Sequence, residues 1–127
     1  MINIDTLKHI IEKEDKILGV RKNKYEFEYK GYKAFIVRHD LGFLNGYIEV
    51  GDDYDKDVEY YSHGGITYED NGIIGFDCCH LTDDLAPEIY FNNLMMKDDK
   101  ATYKSLEYVK ETLMKMIDFL AKDDDNE

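Results

Sequence analysis

Residues 25–39 read YEFEYKGYKAFIVRH, and their alternation decides the fold. Tyr25, Phe27 and Tyr29 alternate with Glu26, Glu28 and Lys30, and after Gly31 the chain resumes as YKAFIVRH. A period of two sends successive side chains to opposite faces of a strand, and a glycine break between two such runs marks a hairpin. With Lys30-Gly31 as a two-residue turn, Phe27 faces Ala34 and Glu28 faces Lys33. Apolar then meets apolar and opposite charges meet, so the register supports itself.

On the N-terminal side, Ile4, Leu7, Ile10, Ile11, Ile17 and Leu18 recur at helical spacing. The pattern predicts a helix over 5–18, with Asp5 or Thr6 as its N-cap and Gly19 as its stop. On the C-terminal side, GFLNGYIEV (42–50) predicts a third strand begun through Asn45-Gly46, and GDDYDKDVE (51–59) a polar acidic loop. GGITYED (64–70) and GIIGFDCC (72–79) predict two more strands joined at Asn71-Gly72. Residues 81–100 read as irregular around the lone proline, Pro87, with a short strand expected in IYFNNLMM (89–96). Leu106, Val109, Leu113, Met116, Ile117 and Leu120 form one face of a closing helix expected over 101–121. The expected fold class is α+β: a single antiparallel sheet of about five strands with the N-terminal and C-terminal helices packed on one face. One domain is expected over 1–122, with an acidic, frayed tail at 123–127.

The chain has 127 residues, which suits one domain, and a formal charge of −12. That charge is uneven. Residues 1–40 carry nine basic and seven acidic side chains, whereas residues 41–127 carry seven basic and twenty-one acidic. So acidic a surface repels phosphate backbones, which argues against direct binding to nucleic acid. There is no run of 18 apolar residues and no signal-peptide core in MINIDTLKHI, so no membrane role and a cytoplasmic location are expected. Cys78 and Cys79 are adjacent and the sequence has no other cysteine, which predicts reduced thiols and excludes a thiolate-rich zinc site.

Only SHGGITYEDNGIIGFDCCH (62–80) is dense in reactive side chains. Extending the Asn71-Gly72 hairpin places His63 opposite His80, with Cβ atoms about 5 Å apart. Thr67, Phe76 and Cys78 share their face; Asp77 and Cys79 fall on the other, and Asp83 lies just beyond. Two facing imidazoles with a carboxylate suit a transition-metal ion such as zinc, or acid–base work on a ligand. Histidines at strand ends also serve as plain hydrogen-bonding braces, and that structural role carries the greatest weight. Gly64 and Gly65 allow a ligand or backbone to approach closely, although a bulge or tight strand crossing is the favoured reading. A cysteine nucleophile is possible in chemistry but runs against the usual role of strand cysteines as core. Asp53, Asp55 and Asp57 imitate the start of a calcium loop, yet Val58 stands where glycine is needed and Gly64 where glutamate is needed. Asp52, Asp53, Asp55, Asp57 and Glu59 are therefore read as a solvated acidic loop that presents phosphate-like charge to a basic partner. Tyr60-Tyr61 and Tyr90-Phe91 flank the candidate site as possible pocket or interface residues.

GFLNGYIEV, HGGITY and GFDCCH, then Asp83 and Pro87, taken in that order with TYKSLEYVKETLMKMIDFLA, resemble a family of small phage and prophage proteins. Its members read as a GYV strand, an HGG(L/I)T strand and a GFDCAH-x-GD segment followed by proline. The resemblance covers about residues 32–121. Ile73 and Ile74 stand where the family has bulky aromatics, and Thr82 where it has glycine. The resemblance implies a phage or prophage setting, hence the host cytoplasm, and no particular activity.

The leading expectation is a non-enzymatic accessory protein that binds a host target, as an inhibitor of a defence factor, through an acidic, nucleic-acid-mimicking surface or by capturing a small ligand. The alternative is a metal-assisted hydrolase using His63, His80 and Asp83. No cofactor is predicted.

Overall fold

The computed structural model describes residues 2–19, 24–80, 82–92 and 101–122. The expected tail at 123–127 and the part of the predicted short strand at 93–96 lie outside them.

Five antiparallel strands form one sheet: β1 (Lys24–Tyr29), β2 (Tyr32–Arg38), β3 (Leu44–Glu49), β4 (Tyr68–Asp70) and β5 (Ile73–Asp77), in the order β1-β2-β3-β5-β4. The β1–β2 register pairs Phe27 with Ala34 and Glu28 with Lys33, as the alternation predicts. Both tight turns use two residues of positive φ, Lys30-Gly31 (49° and 85°) and Asn71-Gly72 (52° and 77°). That geometry matches the twist of the flanking strands. Asn45-Gly46 does not begin a strand. It sits inside β3, with Asn45 opposite Val37 and Asp77, and Gly46 faces the ring of Phe76.

Helix α1 (Ile4–Leu18) and helix α3 (Leu106–Ala121) flank the sheet, with a short α2 (Pro87–Phe91) beside α1. The N-cap of α1 is Asn3, whose side chain accepts from the N–H groups of Asp5 and Thr6. Helix α3 begins five residues later than periodicity suggests. Ser105 caps it by accepting from Tyr108 N, and Thr102 is held extended by a parallel bridge to Asp84. In place of the expected short strand, Ile89–Phe91 are helical, because Pro87 at the first turn has no N–H to lose and presets the helical φ. The acidic stretch contains a 3-10 helix, Lys56–Tyr61, that packs on α3.

The core lies between sheet and α3. Ile36, Leu44, Ile48, Ile74 and Phe76 meet Val109, Leu113, Met116 and Ile117, all at most 1% exposed. Each such side chain contributes about 1.5–3 kcal/mol by leaving water. A buried polar hub ties α1 to the rest. Arg38 Nε donates to Asp15 (2.6 Å), one terminal nitrogen to Glu14 (3.1 Å), and the other to Tyr103 Oη and the Gly42 carbonyl (both 2.8 Å). Tyr103 Oη donates to Glu14, whose second oxygen accepts from Leu106 N at 2.8 Å.

Candidate functional site

The Asn71-Gly72 hairpin keeps its predicted register only as far as Tyr68 opposite Gly75. Before Tyr68 the chain leaves the ladder, with φ of +76° at Gly64 and +105° at Gly65. His63 and His80 are therefore not a cross-strand pair. Their rings still meet edge to face, with centroids 5.1 Å apart, because both reach the same carboxylate.

That carboxylate is Asp84, not the expected Asp83. After β5 the backbone turns, with Asp83 N and Asp84 N both donating to the His80 carbonyl. The turn sets the His80 and Asp84 side chains together at i, i+4 and leaves Asp83 exposed. Asp84 is fully buried. His63 Nε2 lies 2.8 Å from its Oδ2 and 2.9 Å from its Oδ1. Oδ2 also meets His80 Nδ1 at 3.0 Å and accepts from His80 N at 2.9 Å. Lys104 Nζ reaches Oδ1 at 3.1 Å and is held there by Thr102 Oγ1 and the Asp83 carbonyl. Burial pushes the Asp84 carboxyl up, but the hydrogen bonds from His63, His80 and Lys104 outweigh it and hold the group well below the usual carboxylate range.

The outer nitrogen of His63, Nδ1, lies 2.7 Å from the Tyr108 hydroxyl, which comes from the first turn of α3. Nε2 of His80 has no such partner among the described residues and lies over Gly64. The His80 side chain is 33% exposed against 12% for His63, so solvent meets the cluster on the His80 side. The donor atoms of His63, His80 and Asp84 lie within 4.8 Å of one another, a spread that one metal ion can bridge. Asp84 orients both rings and leaves Nε2 of His80 on the more exposed side of the cluster.

The other predicted residues are dispersed. Thr67 is exposed, and its N–H bonds the Gly75 carbonyl. Asp77 pairs with Asn45 in the sheet and accepts from Cys79 N. Gly64 is not part of a bulge; it makes room for the His80 ring, while Gly65 N donates to Ser62 Oγ. Asp52, Asp53, Asp55, Asp57 and Glu59 are exposed, and two of them also serve the backbone: Asp55 caps the 3-10 helix and Glu59 accepts from Ile66 N. Tyr61 stacks on Phe119, and Tyr90 and Phe91 join Leu7 and Leu85 in a minor core. Burial pushes the Cys78 thiol far up and Cys79 up as well, which keeps both thiols protonated and poor nucleophiles.

Asp84, Lys104 and Tyr108 are the site residues that the sequence pattern does not single out. The i, i+4 spacing of His80 and Asp84 is the one available signal. Nothing in the sequence ties Lys104 or Tyr108 to the histidines. No protein-family model, no curated protein and no solved structure matches this chain.

Proposed function

We propose that the protein binds a transition-metal ion, zinc by its donor chemistry, at His63, His80 and Asp84, and that this centre carries a hydrolytic activity. The observation behind the proposal is the convergence of two imidazoles and one fully buried carboxylate from three separate positions. Neutral imidazole and carboxylate are the donor set of catalytic zinc sites, and three protein ligands leave a position for water. A bound ion would supply Lewis acidity there and lower the pKa of that water.

The surrounding residues favour this use. Tyr108 fixes the orientation of His63 through its outer nitrogen, as partners of metal-ligating histidines do. Lys104 and the His80 N–H hold the Asp84 carboxylate in place, with Oδ2 the oxygen that both imidazoles reach. Gly64 keeps the space that the His80 ring fills. HGGIT and GFDCCH, two of the segments that carry the phage-type resemblance, supply both histidines, so the proposal extends to an accessory protein of a phage or prophage.

The test is a Co²⁺ and Zn²⁺ titration of untagged, chelator-stripped protein, followed by calorimetry and by cobalt absorption in the visible. One ion per chain is expected, with affinity falling about tenfold or more in His63→Ala and in His80→Ala. Absence of saturable binding, or binding untouched by both variants while their melting curves stay cooperative, would overturn the proposal.

A further inference from the structure

The helices cover one face of the sheet. The opposite face carries Phe35, Val37, Tyr47, Tyr68 and Ile73, which together line a shallow cavity of about 220 Å³. In an antiparallel sheet with one face packed on the core, the other face is normally polar. Here its centre is aromatic. Phe35 stacks on Tyr47 with centroids 4.8 Å apart, and Tyr68 meets Tyr47 edge-on at 5.5 Å. Tyr68 is 43% exposed, so part of this aromatic surface faces water.

The register places Glu26, Glu28, Glu49, Asp70 and Asp77 on the same face, around that centre. Lys24 and Lys33 are the basic side chains there among the described residues. Lys24 is already committed to Glu26 at 3.0 Å and to the Phe35 ring, and Lys33 stands opposite Glu28. At the Asn71-Gly72 end of the sheet, Asp52 and Glu69 line a cleft with Asp70, Ile73 and the core residue Ile74, so that cleft lies at the border between this face and the helix-covered one. Lys56, the one cation lining that cleft among the described residues, is held by the Tyr54 ring and Glu69.

We propose that this open face is a docking surface for a protein partner that presents an apolar or aromatic centre among arginines and lysines. An apolar centre with a polar rim is the anatomy of a protein interface, and the sign of the rim selects the partner. A second copy of this chain is disfavoured by the same rim, since two acidic perimeters repel. The surface is separate from the His63–His80–Asp84 cluster, so either proposal stands or falls without the other.

The probe is a peptide of three Lys-Phe repeats titrated into isotopically labelled full-length protein and followed by amide chemical shifts. Saturable shifts confined to β2, β3, β4 and β5 around Phe35, Tyr47, Tyr68 and Ile73 are expected. Binding weakens severalfold when salt is raised and when Tyr68→Ser or Asp70→Lys is introduced. Both substitutions are at exposed positions of β4 and keep the fold, which the remaining spectrum verifies. A Glu-Phe repeat peptide is expected to leave the spectrum unchanged, and a Lys-Ser repeat to bind more weakly. Shifts absent from this face, or equal binding of the Glu-Phe or Lys-Ser peptide, would overturn the proposal. So would self-association in sedimentation that Tyr68→Ser abolishes, since the occupant would then be a second copy.

Discussion

The imidazole of His80 rests on Gly64: a Cβ built on that glycine would fall 2.4 Å from both Cε1 and Nε2 of the ring. The φ of +76° at Gly64 is also one that side-chain-bearing residues rarely adopt. Sequence, backbone and site therefore meet at this one position.

Gly64→Ala is expected to do two things at once. Backbone strain and the displaced ring lower stability by about 1–3 kcal/mol. Metal affinity in the cobalt titration falls by about tenfold or more, because His80 Nδ1 is pulled away from Asp84. Gly51→Ala, at an exposed glycine where an added Cβ would meet nothing within 4 Å, is the control for backbone strain alone.

Asp84 and Asp83 are neighbours with opposite burdens. Asp84→Asn removes the charge that compensates Lys104 and weakens bonds from both histidines, at an expected cost of about 2–4 kcal/mol in urea unfolding. Asp83→Asn, exposed and among the described residues engaged through its backbone alone, is expected to stay within about 0.5 kcal/mol. Equal costs would show that the carboxylate at 84 does not organise the cluster.

Tyr103 predicts an alkaline sensitivity. Burial pushes its hydroxyl well above the ordinary tyrosine value, with Glu14 adding to the rise. The folded state thus keeps this proton after the unfolded chain has released it, so the contribution is intact below about pH 10 and is lost as pH rises further. Tyr103→Phe is expected to lower stability by about 1–3 kcal/mol at neutral pH, since Arg38 and Glu14 each lose a partner. It also flattens the alkaline decline, which denaturant unfolding between pH 8 and pH 11 measures.

Gly46→Ala tests the interior of β3. The new methyl group would lie 2.9 Å from the Phe76 ring and 3.1 Å from Leu113, both in the core. Overpacking of about 1–3 kcal/mol is expected in thermal unfolding, with no change in cobalt binding.

The legible parts of this chain are those set by local pattern. The alternation around Lys30-Gly31 predicts the β1–β2 register pair for pair, and the apolar stripe of α3 predicts its buried face. The same dipeptide, Asn-Gly, carries different meanings at its two positions. At 71–72 both residues take positive φ and turn the chain, whereas at 45–46 the glycine makes room for Phe76 from another strand. Such a cause is invisible in one strand's own sequence. The candidate site is half legible for a similar reason. Pattern pairs His63 with His80 through a hairpin that ends five residues short of His63, and they meet instead through Asp84. Asp84 is enclosed by His63, His80 and Lys104, and the extended segment that brings Lys104 there bridges Asp84 at Thr102, a contact 18 residues distant that no local period encodes. The late start of α3 follows from the same bridge, which holds the preceding residues extended.

The bond from Leu106 N to Glu14 spans 92 residues and is buried. An amide in the first turn of a helix has no partner within that helix and would ordinarily exchange its hydrogen quickly. Here the acceptor belongs to the first helix, and breaking the contact means separating α1 from Arg38, Tyr103 and α3 together. Hydrogen exchange at Leu106 therefore follows the opening of the whole domain rather than the fraying of a helix end, which makes that single amide a gauge of its cooperativity.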